Sequence, residues 1–131
     1  MSFGERRLDR TKPEIDPPAG EAPTELVVID LVEGTGAEAS AGRQISCHYV
    51  GVTNSRGEEF DASWNRGQPL DFTVGVGQVI RGWDQGLLGM KVGGRRRLEI
   101  PSELAYGSRG AGGVIGPDEA LIFVVDLLDV R

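Results

Sequence analysis

Gly75–Gly94 (GVGQVIRGWDQGLLGMKVGG) is the stretch that most constrains the fold, because it alone carries a clear helical rhythm. Its apolar residues Ile80, Trp83, Leu87 and Met90 recur at steps of three and four, which places them on one side of a helix. Val79, one turn before Trp83, lies on the same side. Gly75 and Gly77 open the stretch and Gly93 and Gly94 close it, as suits corners where the chain needs φ > 0. The spacing predicts one short helix between flexible corners. The other segments read as short strands, so the helix must lay its apolar face on a sheet.

Glu25–Val32 (ELVVIDLV) is a β-branched run ended by Glu33-Gly34-Thr35-Gly36, a strand and then a turn. In Arg43–Val52, Ile45, Cys47 and Tyr49 alternate with Ser46, His48 and Val50, the period of two of a strand. Thr53–Gly57 has turn chemistry, and Glu58-Glu59-Phe60 reads as a short returning hairpin strand. Asp61–Gln68 reads as a loop or bulge, and Leu70, Phe72 and Val74 alternate as a half-buried strand. After the helix, Arg95–Ile100 is a strand stopped by Pro101, and Ser102–Gly107 has room for one helical turn. Ser108–Pro117 is a glycine-rich loop that carries Val114 and Ile115, apolar residues out of place at a loop tip unless they fold over something. Ala120–Val130 closes the chain as a long strand, apolar on both faces through Val125, and so a central one. The expected fold is α+β: a curved antiparallel sheet of about five to six strands wrapped around one short helix.

Residues 1–24 mix Arg6, Arg7 and Arg10 with acids and four prolines, too little apolar surface to offset ordering entropy. They are expected to form a mobile arm ahead of a single domain over 25–131. A net charge of −6 disfavours nucleic acid as a partner, since phosphate would repel the chain. The longest apolar run, Ala120–Val125, is too short to span a membrane, and the charged N-terminus lacks the apolar core of a signal peptide. The expected address is the cytoplasm. The single cysteine, Cys47, reads as a buried thiol, and with one histidine there is no zinc ligand set, so no metal or cofactor is expected.

The common catalytic motifs are missing. Gly75-Val76-Gly77 opens like a dinucleotide fingerprint, but position 80 is isoleucine and no βαβ alternation surrounds it. His48 has no nucleophile elbow near it and reads as a hydrogen-bonded structural residue. What stands out is a set of aromatic and aliphatic residues beside single polar groups: Tyr49, Phe60-Asp61, Val79-Ile80, Trp83, Tyr106, Val114-Ile115 and Phe123. Core packing and the lining of a site both account for Trp83 and Phe123 at this stage, while Tyr106 and Ile115, in glycine-rich loops, fit a core less well.

The blocks His48-Tyr49-Val50-Gly51, Gly57–Ser63 (GEEFDAS), Gly77–Gly86 (GQVIRGWDQG), Met90–Gly93, Ile100-Pro101, Leu104–Gly107 (LAYG) and Leu121–Leu128 (LIFVVDLL) occur in that order. Together they resemble the FKBP family of macrolide-binding peptidyl-prolyl cis-trans isomerases, over roughly Glu25 to Val130. The chain looks most like short bacterial members with a Pro-Glu-Ile-Asp lead-in, here Pro13–Asp16.

The resemblance implies a pocket between helix and sheet, floored by Trp83 and lined by Tyr49, Phe60, Asp61, Val79, Ile80, Tyr106 and Phe123. Arg66 would pair with Asp61, and Val114 and Ile115 would form a flap. Asp61, Tyr106, Tyr49 and Phe123 are the implied catalytic residues, with the others and Leu70 binding substrate. Leu70 replaces a rim phenylalanine, Ala111 a flap histidine and Val114 an isoleucine, changes that bear on substrate preference and macrolide affinity. The implied partners are proline-containing peptides, folding proteins and tacrolimus- or rapamycin-type macrolides, bound by a monomer. Two other readings compete with isomerisation. A chaperone module without turnover is disfavoured by the lack of an insert between Asp61 and Leu104. A hydrolase needs an acid pair or nucleophile with no recognisable setting here.

Overall fold

The computed structural model describes residues 10–16 and 21–131. Its strands are β1 (Val27–Val32), β2 (Gln44–Thr53), β3 (Glu59–Ala62), β4 (Leu70–Thr73), β5 (Arg95–Ile100) and β6 (Leu121–Val130). They form one antiparallel six-stranded sheet in the order β1-β5-β6-β2-β3, with β4 also pairing β2. Two short helices, α1 (Ser63–Arg66) and α2 (Arg81–Gly86), accompany it. The fold is α+β, as the strand and helix rhythms predict. Among the described residues no helix is long and apolar enough to cross a membrane.

β6 is central, as its two apolar faces require. Leu121, Phe123, Val125 and Leu127 point into the main core under α2, while Val124 joins a smaller cluster on the outer face with Val50, Ala62, Ile15 and Trp64. One edge of β2 pairs with β6; its other edge is shared, β4 against Gln44–Cys47 and β3 against Val50–Val52. Two predicted boundaries change. Asp61 and Ala62 belong to β3, and Ser63–Arg66 is a helical turn rather than loop, closed by Gly67 in the left-handed region (φ 65°).

The helix is shorter than its apolar rhythm. Only Trp83 of the four spaced residues lies within α2; Ile80 caps its start, Leu87 its end, and Met90 follows in a turn. The rhythm survives because these turns keep the spacing: the Leu87 N–H bonds the Trp83 carbonyl at 3.0 Å and the Met90 N–H the Leu87 carbonyl at 3.2 Å. The Asp84 carboxylate accepts the N–H groups of Gly75 and Gly77 at 2.8 Å each, tying the entry corner to the helix. Arg96, buried beside Asp30 at 2.7 Å, donates to the Gly86 and Leu88 carbonyls and satisfies the helix C-terminus.

Gly82 and Gly86 let α2 sit directly on β5. A Cβ at Gly82 would lie 2.5 Å from the Ile100 side chain, and one at Gly86 2.8 Å from that of Leu98. Both neighbours are fully buried. Gly82→Ala gains helix propensity of about 1 kcal/mol but forces apart a packed contact, an overpacking that costs about 1–3 kcal/mol. Net destabilisation is expected, read as a lower urea midpoint; a midpoint at or above wild type would show that α2 has room to shift.

Candidate active site

The aromatic residues gathered from four segments meet beneath the start of α2. Trp83 lies at the floor, 4 % exposed. Tyr49 of β2 meets it edge to face at 5.0 Å and 82°, and Phe123 of β6 at 5.2 Å and 84°. Phe60 of β3 meets Phe123 at 5.5 Å and 87°. Edge-to-face packing suits the ring quadrupoles and holds each ring at a fixed angle. Gly51, opposite Phe123 in the β2–β6 register, makes room for it: a Cβ there would fall 2.6 Å from the Phe123 ring and 2.7 Å from the Phe60 ring.

The cavity these rings leave is about 190 Å³, also bounded by Asp61, Leu70, Gln78, Val79, Ile80 and Tyr106. Sites for drug-sized ligands run to roughly 300–1,000 Å³, so this one has room for a small ring but not for a whole ligand of that size. A larger recess of about 690 Å³ lies on the other face of the sheet, but its lining includes none of these aromatic residues. Among the described residues no cluster of His, Cys, Asp and Glu has the arrangement of a metal site.

A β-bulge puts Phe60 and Asp61 into one cavity. β3 pairs Glu59 with Val52 and Asp61 with Gly51, so Phe60 is the extra residue. In a regular strand these neighbours would face opposite ways; the bulge re-aims them. Asp61 then accepts the Tyr49 hydroxyl at 2.5 Å and Arg66 Nη1 at 2.7 Å, while Arg66 Nη2 donates to the Tyr49 Oη at 2.9 Å. The three side chains close a triangle, with the guanidinium 5.8 Å from the Tyr49 ring centre.

Burial pushes the Asp61 carboxyl upward, but the hydrogen bonds from Tyr49 and Arg66 outweigh it and hold the group below its ordinary value. Burial and the bond to Asp61 push the Tyr49 phenol up to about 12. Burial, then the charge of Asp61, raises the Tyr106 phenol as well. The rim therefore carries an ionised carboxylate and two protonated hydroxyls across the neutral range.

Ser63 supports Tyr49 from behind. Its fully buried Oγ accepts the Tyr49 N–H at 2.7 Å and lies 2.8 Å from His48 Nδ1. His48 is thus hydrogen-bonded, as the strand reading expects, and stacks on Trp64 at 4.3 Å. The Cys47 thiol is fully buried, and burial, followed by the charges of Asp126 and Asp71, raises its pKa.

The structure brings Tyr49, Phe60, Asp61, Leu70, Val79, Ile80, Trp83, Tyr106 and Phe123 around one cavity, with Arg66 on its rim through Asp61. Val114 and Ile115 do not line it. Ile115 turns into the main core, 6 % exposed, where the Ala111–Ile115 bridge holds it, and Val114 points outward. Gln78 lines the cavity unforeseen, its Oε1 accepting the Thr73 N–H at 2.8 Å. It sits between Gly77 and Val79 in the most distinctive block of the sequence, which is the signal that would have found it.

Residues 36–128 match the family described as FKBP-type peptidyl-prolyl cis-trans isomerase. The chain is 64% identical over 120 residues to the FK506-binding protein of Streptomyces anulatus, covering 91% of this chain and 97% of that one. It is 57% identical over 105 residues to the FK506-binding protein of Neisseria meningitidis serogroup A, covering 80% and 95%. Among solved structures, the crystal structure of AtFKBP13 superposes with a TM-score of 0.76 at 45% identity, covering 84% of this chain and 96% of that one.

Proposed function

We propose, from the premise that this chain belongs to the FKBP-type peptidyl-prolyl cis-trans isomerases, that it turns X–Pro bonds by holding the proline ring in the aromatic cavity over Trp83. The observation that carries this reading is the pairing of a ring-sized aromatic cavity with a carboxylate and hydroxyls at its mouth.

Amide resonance opposes rotation with a barrier of roughly 18–20 kcal/mol. At X–Pro the two isomers differ little in energy, yet exchange in tens of seconds or longer. Twisting removes resonance, leaves the carbonyl less polar and the nitrogen more basic. A catalyst must bind that twisted form better than the planar one, with about tenfold in rate for each 1.36 kcal/mol of difference. Trp83, Phe60, Tyr49 and Phe123 exclude water from the planar, polar amide and lower its relative stability. Asp61 and the Tyr49 and Tyr106 hydroxyls orient the amide, with the Tyr49 proton held by Asp61 and the Tyr106 hydroxyl left to donate to the carbonyl, and the Ile80 N–H at the start of α2 anchors a neighbouring carbonyl. No proton moves, in keeping with a carboxylate that stays ionised and phenols that stay protonated.

The substrates on this reading are proline-containing peptides and folding proteins. A tacrolimus- or rapamycin-type macrolide would seat one ring in the same cavity, a reading supported by the names of the bacterial relatives. Two-dimensional NMR exchange on a proline peptide tests the first claim: substoichiometric protein is expected to speed cis-trans exchange. Absence of enhancement would leave a binding module without turnover. For the second, Trp83 fluorescence should saturate with macrolide in a Trp64→Phe background, since Trp64 stacks on the outer face and reports independently. A flat titration would remove the macrolide from this cavity.

A further inference from the structure

Residues 10–16, Arg-Thr-Lys-Pro-Glu-Ile-Asp, run along the outer face of the sheet, opposite the active site. Arg10 donates to Asp126 at 2.9 Å and to the Gly93 carbonyl at 3.1 Å, and Arg95 donates to the Thr11 carbonyl at 3.0 Å. Ile15 packs on Val50, Ala62, Val124 and Trp64. Between these anchors the Lys12 Nζ lies 2.6 Å from Glu59 Oε1 and 3.0 Å from Asn65 Oδ1. Asn65 Nδ2 in turn donates to Glu59 Oε2 at 3.0 Å.

These three side chains form a closed ring across the base of one short span. Glu59 opens β3, and Asn65 sits in α1 beside Arg66. Between them lie Phe60 at the bulge and Asp61. Ser63 and Trp64 hold the far end of the span through Tyr49 and His48, but its near end is a four-residue edge strand with a register shift, and α1 is a single turn with no side-chain cap. A short edge strand and an uncapped turn belong to the weakly held parts of a fold.

We propose that Lys12 is a positioning residue for the isomerase site, fixing from behind the sheet the span that presents Phe60, Asp61 and Arg66 to the cavity. This inference rests on the site reading above. The strap fastens both ends of the segment at once, so losing it lets Asp61 and Arg66 drift together from the Tyr49 hydroxyl. Because orientation of the amide depends on that triangle, catalysis falls although no substrate contact is lost.

The test is proline-peptide exchange with the full-length protein. Lys12→Met is expected to lower kcat/KM about 3-fold, the scale that exposed charge contacts sustain. Lys12→Arg should restore it. Glu59→Gln should lower it as Lys12→Met does, with the double variant no worse than either single one, because all three break the same ring. The ratio of wild type to Lys12→Met should also shrink toward one at 1 M NaCl, where charges are screened within about 3 Å. A merely structural loss would show this rescue, non-additivity and salt dependence in the urea midpoint and leave kcat/KM of the folded protein at its wild-type value. Wild-type kcat/KM in Lys12→Met, alongside a damaged Asp61→Ala, would overturn the strap and leave the site standing. An Asp61→Ala variant of full activity would overturn the site reading itself.

Discussion

Asp61→Ala is expected to lower kcat/KM on an X–Pro peptide by roughly 10- to 100-fold while leaving the fold nearly unchanged. The carboxylate accepts from both the Tyr49 hydroxyl and the Arg66 guanidinium. Hydrogen bonds to a charged group are worth about 1.5–3 kcal/mol each, and in the proposed mechanism that stabilisation fixes the groups that orient the reacting amide. The loss of stability is small because the Asp61 and Arg66 side chains are 40 % and 51 % exposed and such pairs contribute about 0–1 kcal/mol. Asp61→Asn should fall between, since it keeps the shape and loses the charge. The pH profile supplies a second reading. The Asp61 carboxyl lies below its ordinary value, so the carboxylate is lost only as pH falls through that lowered value; the Tyr49 phenol ionises near 12. kcat/KM should be flat from weakly acidic to weakly alkaline pH in wild type. A bell centred near neutrality would mean that a group acts as general acid or base, and the orienting role would have to be abandoned.

Asp126→Asn is expected to destabilise the protein by about 3 kcal/mol, the cost of breaking a buried ion pair by removing one partner. The Asp126 side chain is 2 % exposed, and its Oδ1 takes Arg10 Nη1 at 2.9 Å and Arg95 Nε at 2.8 Å. Its Oδ2 takes Arg95 Nη2 at 3.1 Å. Asparagine leaves Arg95, 18 % exposed, facing a neutral amide whose N–H₂ opposes the guanidinium donors. Replacing the pair together, Asp126→Leu with Arg95→Met, should recover most of the loss, because an apolar pair needs no compensating charge. Urea unfolding measures both. A single-variant loss under about 1 kcal/mol would mean that water reaches the carboxylate and that the pair behaves as a surface one.

Much of the scaffold is legible along the chain. β4 and the first half of β2 show their period of two because one face of each packs on the core and the other is more open, while from Tyr49 onward β2 is buried on both faces. β6 reads as central because Phe123 and Val124 face two different clusters. The aromatic set is legible too, since its members sit in blocks whose order and spacing are linear properties of the sequence. The helix is legible in place and face but not in length. Periodicity reports which side is buried, and Leu87 and Met90 stay on that side through turns that are not helix.

The site's finer arrangement was not legible. The resemblance implies a flap role for Ile115; its side chain packs in the main core beside the Ala111–Ile115 bridge, a contact that its glycine-rich loop does not announce. The charges of residues 10–16 read as a solvated arm, because their partners Asp126 and Glu59 lie 116 and 47 positions away.

The sequence by itself determined where most of the strands run, where α2 lies and on which face it packs, and which aromatic and polar groups the chain has to offer a site. These follow from local periodicity and from motif order, which need no knowledge of what touches what. Only the tertiary structure decided that Phe60 and Asp61 share one cavity, that Gly51 admits the rings over Trp83, and that Lys12 meets Glu59 and Asn65 on the far face. Each depends on strand register and on contacts between distant segments. A single-residue bulge reverses the direction of a side chain while leaving the composition of the strand unchanged.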